Sequence, residues 1–160
     1  MIYNNKTVRR QDRLLNEHRA VELLQNNEFG ILSMIDDNGL PYAIPINFVW
    51  DKKNAIYIHC AMDGKKINAL LKNTNVSFCI VGDVNLLSNK FTTEYESVIV
   101  KGKVELNISD NEKNMAIELL LAKFSPNDLV IGRKYAEKSF YRTRIIRIDV
   151  TEFSGKTKRI

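Results

Sequence analysis

The chain has 160 residues, about the length of one domain, with 44% hydrophobic and 27% charged residues, the balance of a globular protein. No apolar run approaches the ~20 residues needed to span a bilayer, so a membrane partner is not expected. The net charge of +5 is carried by basic residues at both ends (Arg9, Arg10, Arg13; Arg142, Arg144, Arg147, Lys156, Lys158, Arg159), a field that suits nucleic acid or a phosphorylated ligand equally.

The opening MIYNNKTVRRQDR carries no apolar h-region and no small-residue cleavage site, which predicts a cytoplasmic protein. Glu17–Asn27 reads as an amphipathic helix, with Asn16 as N-cap, Glu17 at the positive end of the dipole and Ala20, Leu23 and Leu24 as its apolar stripe. Phe29–Ile35 alternates as a strand, and Asn38-Gly39 is a hairpin signal because both residue types tolerate positive φ. The return strand is Tyr42–Trp50, followed by a polar turn and a third strand, Ala55–Cys60. Asp63-Gly64-Lys65-Lys66 opens a short helix in which Ile67, Leu70 and Leu71 fall at helical spacing. Strand four is Val76–Val81, Asp83–Glu96 reads as a polar loop, and strand five is Ser97–Leu106. A longer helix covers Asp110–Phe124 and is broken by Ser125-Pro126-Asn127. Tyr141–Phe153 is the final strand.

Strands joined mainly antiparallel, with helices interrupting rather than alternating, predict a mainly β fold: a six-stranded barrel with helical insertions, as one domain over 1–160. A doubly wound fold would need regular strand–helix alternation. Cys60 and Cys79 lie in apolar strands without a CxxC partner and read as inert buried thiols. Two Cys and two His at unrelated spacings offer no zinc pattern, so no metal is expected.

The stretch Tyr57–Lys66 concentrates the candidate chemistry. A strand delivers His59 and Cys60, then turns through Gly64 into a helix that starts with Lys65 and Lys66. Free N–H groups at a helix start beside two cations suit a phosphate; a solvated lysine pair is the plainer alternative. His59 is either a structural strand histidine or a ligand-facing one. Pro45 removes a ladder donor mid-strand, so the strand is at an edge, bulged or split there, and Asn47 lies on the same face. Glu96-Ser97 and Ser154-Gly155-Lys156 add a hydroxyl and a cation. No Ser/His/Asp order, paired-carboxylate spacing or GxGxxG points to hydrolase or Rossmann chemistry. The aromatic residues are scattered and form no nucleic-acid stacking platform, so no nucleic-acid partner is expected.

Taken in order, Arg9–Arg13, Phe29–Ser33, Asn38–Tyr42, Ile44–Val49, Tyr57–Lys66, Ser97–Gly102 and Ile148–Lys156 resemble the pyridoxamine 5′-phosphate oxidase-like FMN-binding split barrels, most closely their nitroimidazole-resistance branch. The resemblance implies a homodimer with FMN at its interface and a small-molecule substrate. It implies Pro45, Ile46 and Asn47 beside the flavin ring, with His59 and Cys60 on the neighbouring strand. Gly64, Lys65 and Lys66 would hold the phosphate, and Ser97 and Lys156 would complete the pocket, partly from the second subunit. His59 takes the place of the active-site histidine of that branch. The implied activity is FMN-dependent reduction of small electron-poor compounds, nitro-aromatics among them; the alternative is a non-catalytic module holding FMN, haem or another planar cofactor. Pyridoxamine phosphate oxidation itself is not expected, because Ala43-Ile44-Pro45-Ile46 lacks the arginines of those enzymes.

Overall fold

The computed structural model describes residues 1–160. A short strand, β1 (Ile2–Tyr3), precedes helix α1 (Glu17–Asn26), whose N-cap Asn16 accepts the His18 N–H through its side chain at 2.8 Å. Strands β2 (Phe29–Ile35) and β3 (Pro41–Asn47) form the expected hairpin. Only Gly39 of its turn takes positive φ (+78°). Asp36 organises the rest, its carboxylate accepting the N–H groups of Asn38 and Leu40 at 2.9 and 3.0 Å.

The ladder breaks at Phe48 and resumes as β4 (Val49–Trp50), which pairs with β5 (Ala55–Ala61). Helix α2 (Lys65–Lys72) follows, then β6 (Asn75–Leu87) and β7 (Thr92–Glu105), helices α3 (Asp110–Phe124) and α4 (Leu129–Ser139), and β8 (Thr143–Lys158). The expectation of six strands is therefore corrected to eight. The stretch Tyr42–Trp50 is two strands, and β1 adds to β8 in parallel, a pairing of two residues too short to leave a periodic signal. Asp83–Glu96, expected as a loop, is mostly a two-stranded arm: Val84–Leu87 pairs with Thr92–Tyr95 beyond an irregularity at Val81/Val84. Backbone pairing carries such an arm into solvent without needing an apolar face. The same reason extends β8 to Lys158 through polar residues paired with β7.

The strand order is β3-β2-β6-β7-β8-β5-β4. Its two end strands are consecutive in the chain, so the sheet closes on itself and the single break lies at Phe48. That is a barrel split between β3 and β4. Its interior is filled by Leu32, Ile58, Phe78, Ile80, Val100 and Ile148, all fully buried.

The outside of the barrel has two unlike regions. Over β4, β5 and the start of β8, α3 lies against the sheet, and Ala116 and Leu120 pack with Val49, Ala55, Tyr57 and Ile145 in a second buried cluster. A polar clamp fastens it: the Tyr57 hydroxyl donates to Glu112 at 2.9 Å, and Arg147 donates to both Glu112 oxygens at 2.9 and 3.1 Å. Over β3, β2, β6 and β7 the outward side chains are less covered. Register there aligns Pro45, Ile31, Cys79, Ile99 and Ser154 in one row, and Phe29, Val81 and Ile99 are 55%, 51% and 37% exposed. No helix is long and apolar enough to cross a membrane.

Candidate functional site

The break between β3 and β4 is bridged by a lysine. Lys123, in the last turn of α3, donates to the carbonyls of Asn27 at 2.6 Å and Phe48 at 3.0 Å, and its ammonium lies 4.2 Å from the Phe48 ring centroid. The carbonyl freed by the missing ladder thus keeps a partner. Burial drives the Lys123 pKa down to about 8, against a weaker upward pull from Glu28.

Asn47 sits at the lip of this break, its side-chain amide donating to the Glu28 carbonyl at 3.2 Å. His59 lies on the same outer surface of the barrel, two residues along β5 from Tyr57, and is exposed within the single chain. Asn47 and His59 meet in a cavity of about 460 Å³, within the ~300–1,000 Å³ range of small-molecule pockets. Ile117, Leu120, Leu121 and Phe124 of α3 and Tyr135 and Ala136 of α4 supply its walls. Partial desolvation of the ring against the cavity wall first, then the Lys66 ammonium, lowers the His59 pKa, so the imidazole is neutral at pH 7 and able to donate from one nitrogen and accept at the other.

Gly64 takes φ +120° immediately before α2, a conformation open to glycine, and the first residues of α2 are the two lysines. The structure separates them. Lys65 is engaged, 3.3 Å from the Asp36 carboxylate and 4.4 Å from the Tyr42 ring centroid, bracing the β2–β3 turn. Lys66 makes no ion pair and stands close enough to His59 and Cys60 to shift both electrostatically. Of the pair, Lys66 is the cation free to meet an anion.

Strand alternation divides the remaining candidates. Ile46, opposite Gly30, packs against the barrel core, whereas Pro45, opposite Ile31, is exposed on the bare outer surface. Cys60 lies on the opposite side of β5 from His59, packed against the core, and burial raises its pKa. Ser97 and Lys156 are ladder partners on the bare surface, and neither lines the Asn47–His59 cavity. Their neighbour Glu96 faces inward and is taken by Arg19 at 2.8 Å and Arg159 at 3.0 Å, a structural ion cluster. One chain therefore brings Asn47 and His59 together, sets Lys66 beside them, and leaves Pro45, Ser97 and Lys156 on another surface.

Helix α4 and its share of the cavity wall are not among the elements expected from sequence, although Leu129–Ser139 has helix-forming composition and follows Pro126 by three residues. Lys123, on the buried stripe of α3, is legible there only as an oddly placed cation. No group of three or more His, Cys, Asp or Glu side chains is placed to hold a metal.

The family model for pyridoxamine 5′-phosphate oxidase matches residues 16–157. Among curated proteins, none matches the sequence. Several solved structures are similar. A proposed 5-nitroimidazole antibiotic resistance protein from Bacteroides thetaiotaomicron is 21% identical over 91% of this chain and 86% of its own, with a TM-score of 0.77. An FAD-binding protein from Mesorhizobium loti is 21% identical over 92% and 98%, with a TM-score of 0.67. An FAD and haem binding protein from Mycobacterium smegmatis is 19% identical over 92% and 74%, with a TM-score of 0.75. At these identities the likeness is one of fold.

Proposed function

The chain belongs to the pyridoxamine 5′-phosphate oxidase family, and from that premise we propose that it is a flavoprotein that binds FMN as a homodimer and reduces small electron-poor compounds, nitro-aromatics among them. The observation that carries this reading is the convergence of Asn47 and His59 on one cavity at the barrel's split, with Lys66 unpaired beside His59 at the start of α2. These residues fit a flavin: a flat ring with polar edges needs a cleft with an amide and an imidazole, and its phosphate needs a cation and free N–H groups. Two of the similar structures are described as binding FAD, which supports a flavin here.

In this reading Asn47 holds the ring edge through the half of its amide not spent on Glu28, and Lys66 with the N–H groups after Gly64 holds the phosphate. The flavin supplies electron transfer when bound, fed by a nicotinamide or a chemical reductant. His59, neutral at pH 7, donates or relays a proton beside the ring. The bare surface over β2, β6 and β7 is where a second copy docks, bringing its Ser97 and Lys156 toward the cofactor. Phe29, Val81 and Ile99 would give that contact its apolar part.

The visible spectrum of the purified protein, followed by parallel titrations with FMN and FAD, tests the reading. FMN binding is expected, and Lys66→Ala weakens it about 10- to 100-fold, whereas Lys65→Ala has little effect because Lys65 is already committed to Asp36. No flavin as purified and none on titration removes the proposal. A bound flavin that takes up electrons from dithionite yet passes them to no acceptor leaves the non-catalytic cofactor module instead.

A further inference from the structure

We propose that Lys123 is a positioning residue for the candidate site: by clasping the carbonyls of Asn27 and Phe48 it fixes the backbone on which the Asn47 amide is oriented at the cavity's edge. The inference rests on the flavin reading above and names, for the same site, a residue that acts on the ligand through Asn47.

Asn47 is the last residue of β3 and pairs with Phe29, the first of β2. Beyond that pair the ladder stops, so the sheet fixes neither Phe48 nor the Asn27–Glu28 connection that leads from α1 into β2. The side chain of Asn47 is oriented by its hydrogen bond to the Glu28 carbonyl, which at 3.2 Å is at the long end of the normal range. The direction of that bond follows the Glu28 peptide, and Lys123 holds the peptides on either side of the contact. It takes the Asn27 carbonyl at 2.6 Å, one residue before Glu28, and the Phe48 carbonyl at 3.0 Å, one residue after Asn47. Asn27 is itself anchored to β6, its side-chain amide donating to the Val81 carbonyl at 2.8 Å. Lys123 does not line the cavity, although Leu120, Leu121, Phe124 and Ser125 around it do. Its partners are the two carbonyls and the rings of Phe48 and Phe124, whose centroids lie 4.2 and 5.4 Å from the ammonium. An ammonium buried without a carboxylate partner is costly, and a methionine would fill the same apolar stripe without that cost. A methionine cannot donate to two carbonyls at once. That double donation is what the position requires, and both bonds bear on the residue that touches the cavity.

A double-mutant cycle separates this role from a merely structural one. FMN affinity is measured by fluorescence titration for wild type, Asn47→Ala, Lys123→Met and the double variant, with the folding of each checked by its urea unfolding curve. Each single substitution is expected to weaken FMN about 10-fold, and the double variant about 10-fold as well, rather than the roughly 100-fold of independent losses. In the flavin-free protein, proton–nitrogen correlation spectra are expected to show the Asn47 side-chain amide shifted and broadened by Lys123→Met. The side-chain amide of Asn38, at the far end of the β2–β3 hairpin, is expected to stay in place. Should Lys123→Met fail to fold, Lys123→Gln, shorter and uncharged, carries both measurements. Losses that multiply in the double variant overturn the proposal, as does an Asn47 amide unmoved by the substitution. If the wild type takes up no FMN, the flavin reading falls and the flavin-free spectra alone decide the part of Lys123. FMN binding with losses that multiply keeps the flavin reading and removes the lysine's part.

Discussion

The two outer surfaces of the barrel are built from the same kind of alternating strand, yet one is closed and the other open. Over β5, the outward row Ala55, Tyr57 and its neighbour Ile145 is buried beneath Ala116 and Leu120 of α3. Over β2, β6 and β7, the outward row Ile31, Cys79 and Ile99 is only partly covered. A closed barrel satisfies its backbone and fills its interior, but it leaves the apolar outward positions of each strand to be dealt with separately. This chain uses its own helix for one surface and, in the reading proposed above, offers the other to a second copy. The candidate site lies on the seam: Pro45 belongs to the open surface, Asn47 two residues on belongs to the cavity under α3, and the split follows at Phe48.

Charging the open surface carries the largest expected effect. Phe29→Glu combined with Ile99→Glu is expected to raise the dissociation constant for self-association at least about 100-fold, giving a monomer by sedimentation with an unchanged circular dichroism spectrum. A dimer that survives places the interface elsewhere. On the closed surface, Leu120→Ala removes a side chain that is 7% exposed and should cost about 2–4 kcal/mol in urea unfolding. The open surface of the charged monomer has less burial to lose. Ile31→Ala in that background is expected to cost about 1 kcal/mol or less, since its side chain is only partly covered.

A smaller effect separates the polar clamp from the packing. Glu112→Gln weakens the contacts with Tyr57 and Arg147 and is expected to cost about 1–2 kcal/mol. Burial alone would raise the Glu112 pKa, but the hydrogen bonds from Arg147 and Tyr57 outweigh it and hold it below its ordinary value. A carboxylate with a depressed pKa stabilises the fold above its unfolded value and loses that contribution as pH falls. The gap between wild type and variant should therefore close on acidification between about pH 5 and 3.

A pH-dependent effect concerns Lys123, whose folded pKa of about 8 lies below its ordinary value because of burial. The folded state then binds the proton less tightly than the unfolded chain, so stability rises with pH from about 8 toward the unfolded lysine value. Thermal unfolding of wild type and Lys123→Met across that window should show the wild type gaining on the variant. Parallel curves would mean that the lysine is better solvated than its contacts imply.

Much of this protein is legible in its residues before any tertiary contact is known. Alternation places β2, β5 and the core of β7, capping places α1, α3 begins and ends where Asp110 and Phe124 indicate, and Asn38-Gly39 marks the hairpin. These signals are local, arising from side-chain period and backbone preference within a few residues. The meeting of Asn47 with His59 and the distinction between Lys65 and Lys66 are not legible in that way. Two adjacent lysines look alike in sequence; one becomes a brace and the other stays free because Asp36, far back in the chain, folds against the first. The α3–α4 wall, the lysine stitch at Phe48 and the choice of which outer surface is covered depend on where distant segments land on a closed sheet. Burial and ion pairing are set by those long-range neighbours, so only the tertiary structure decides them.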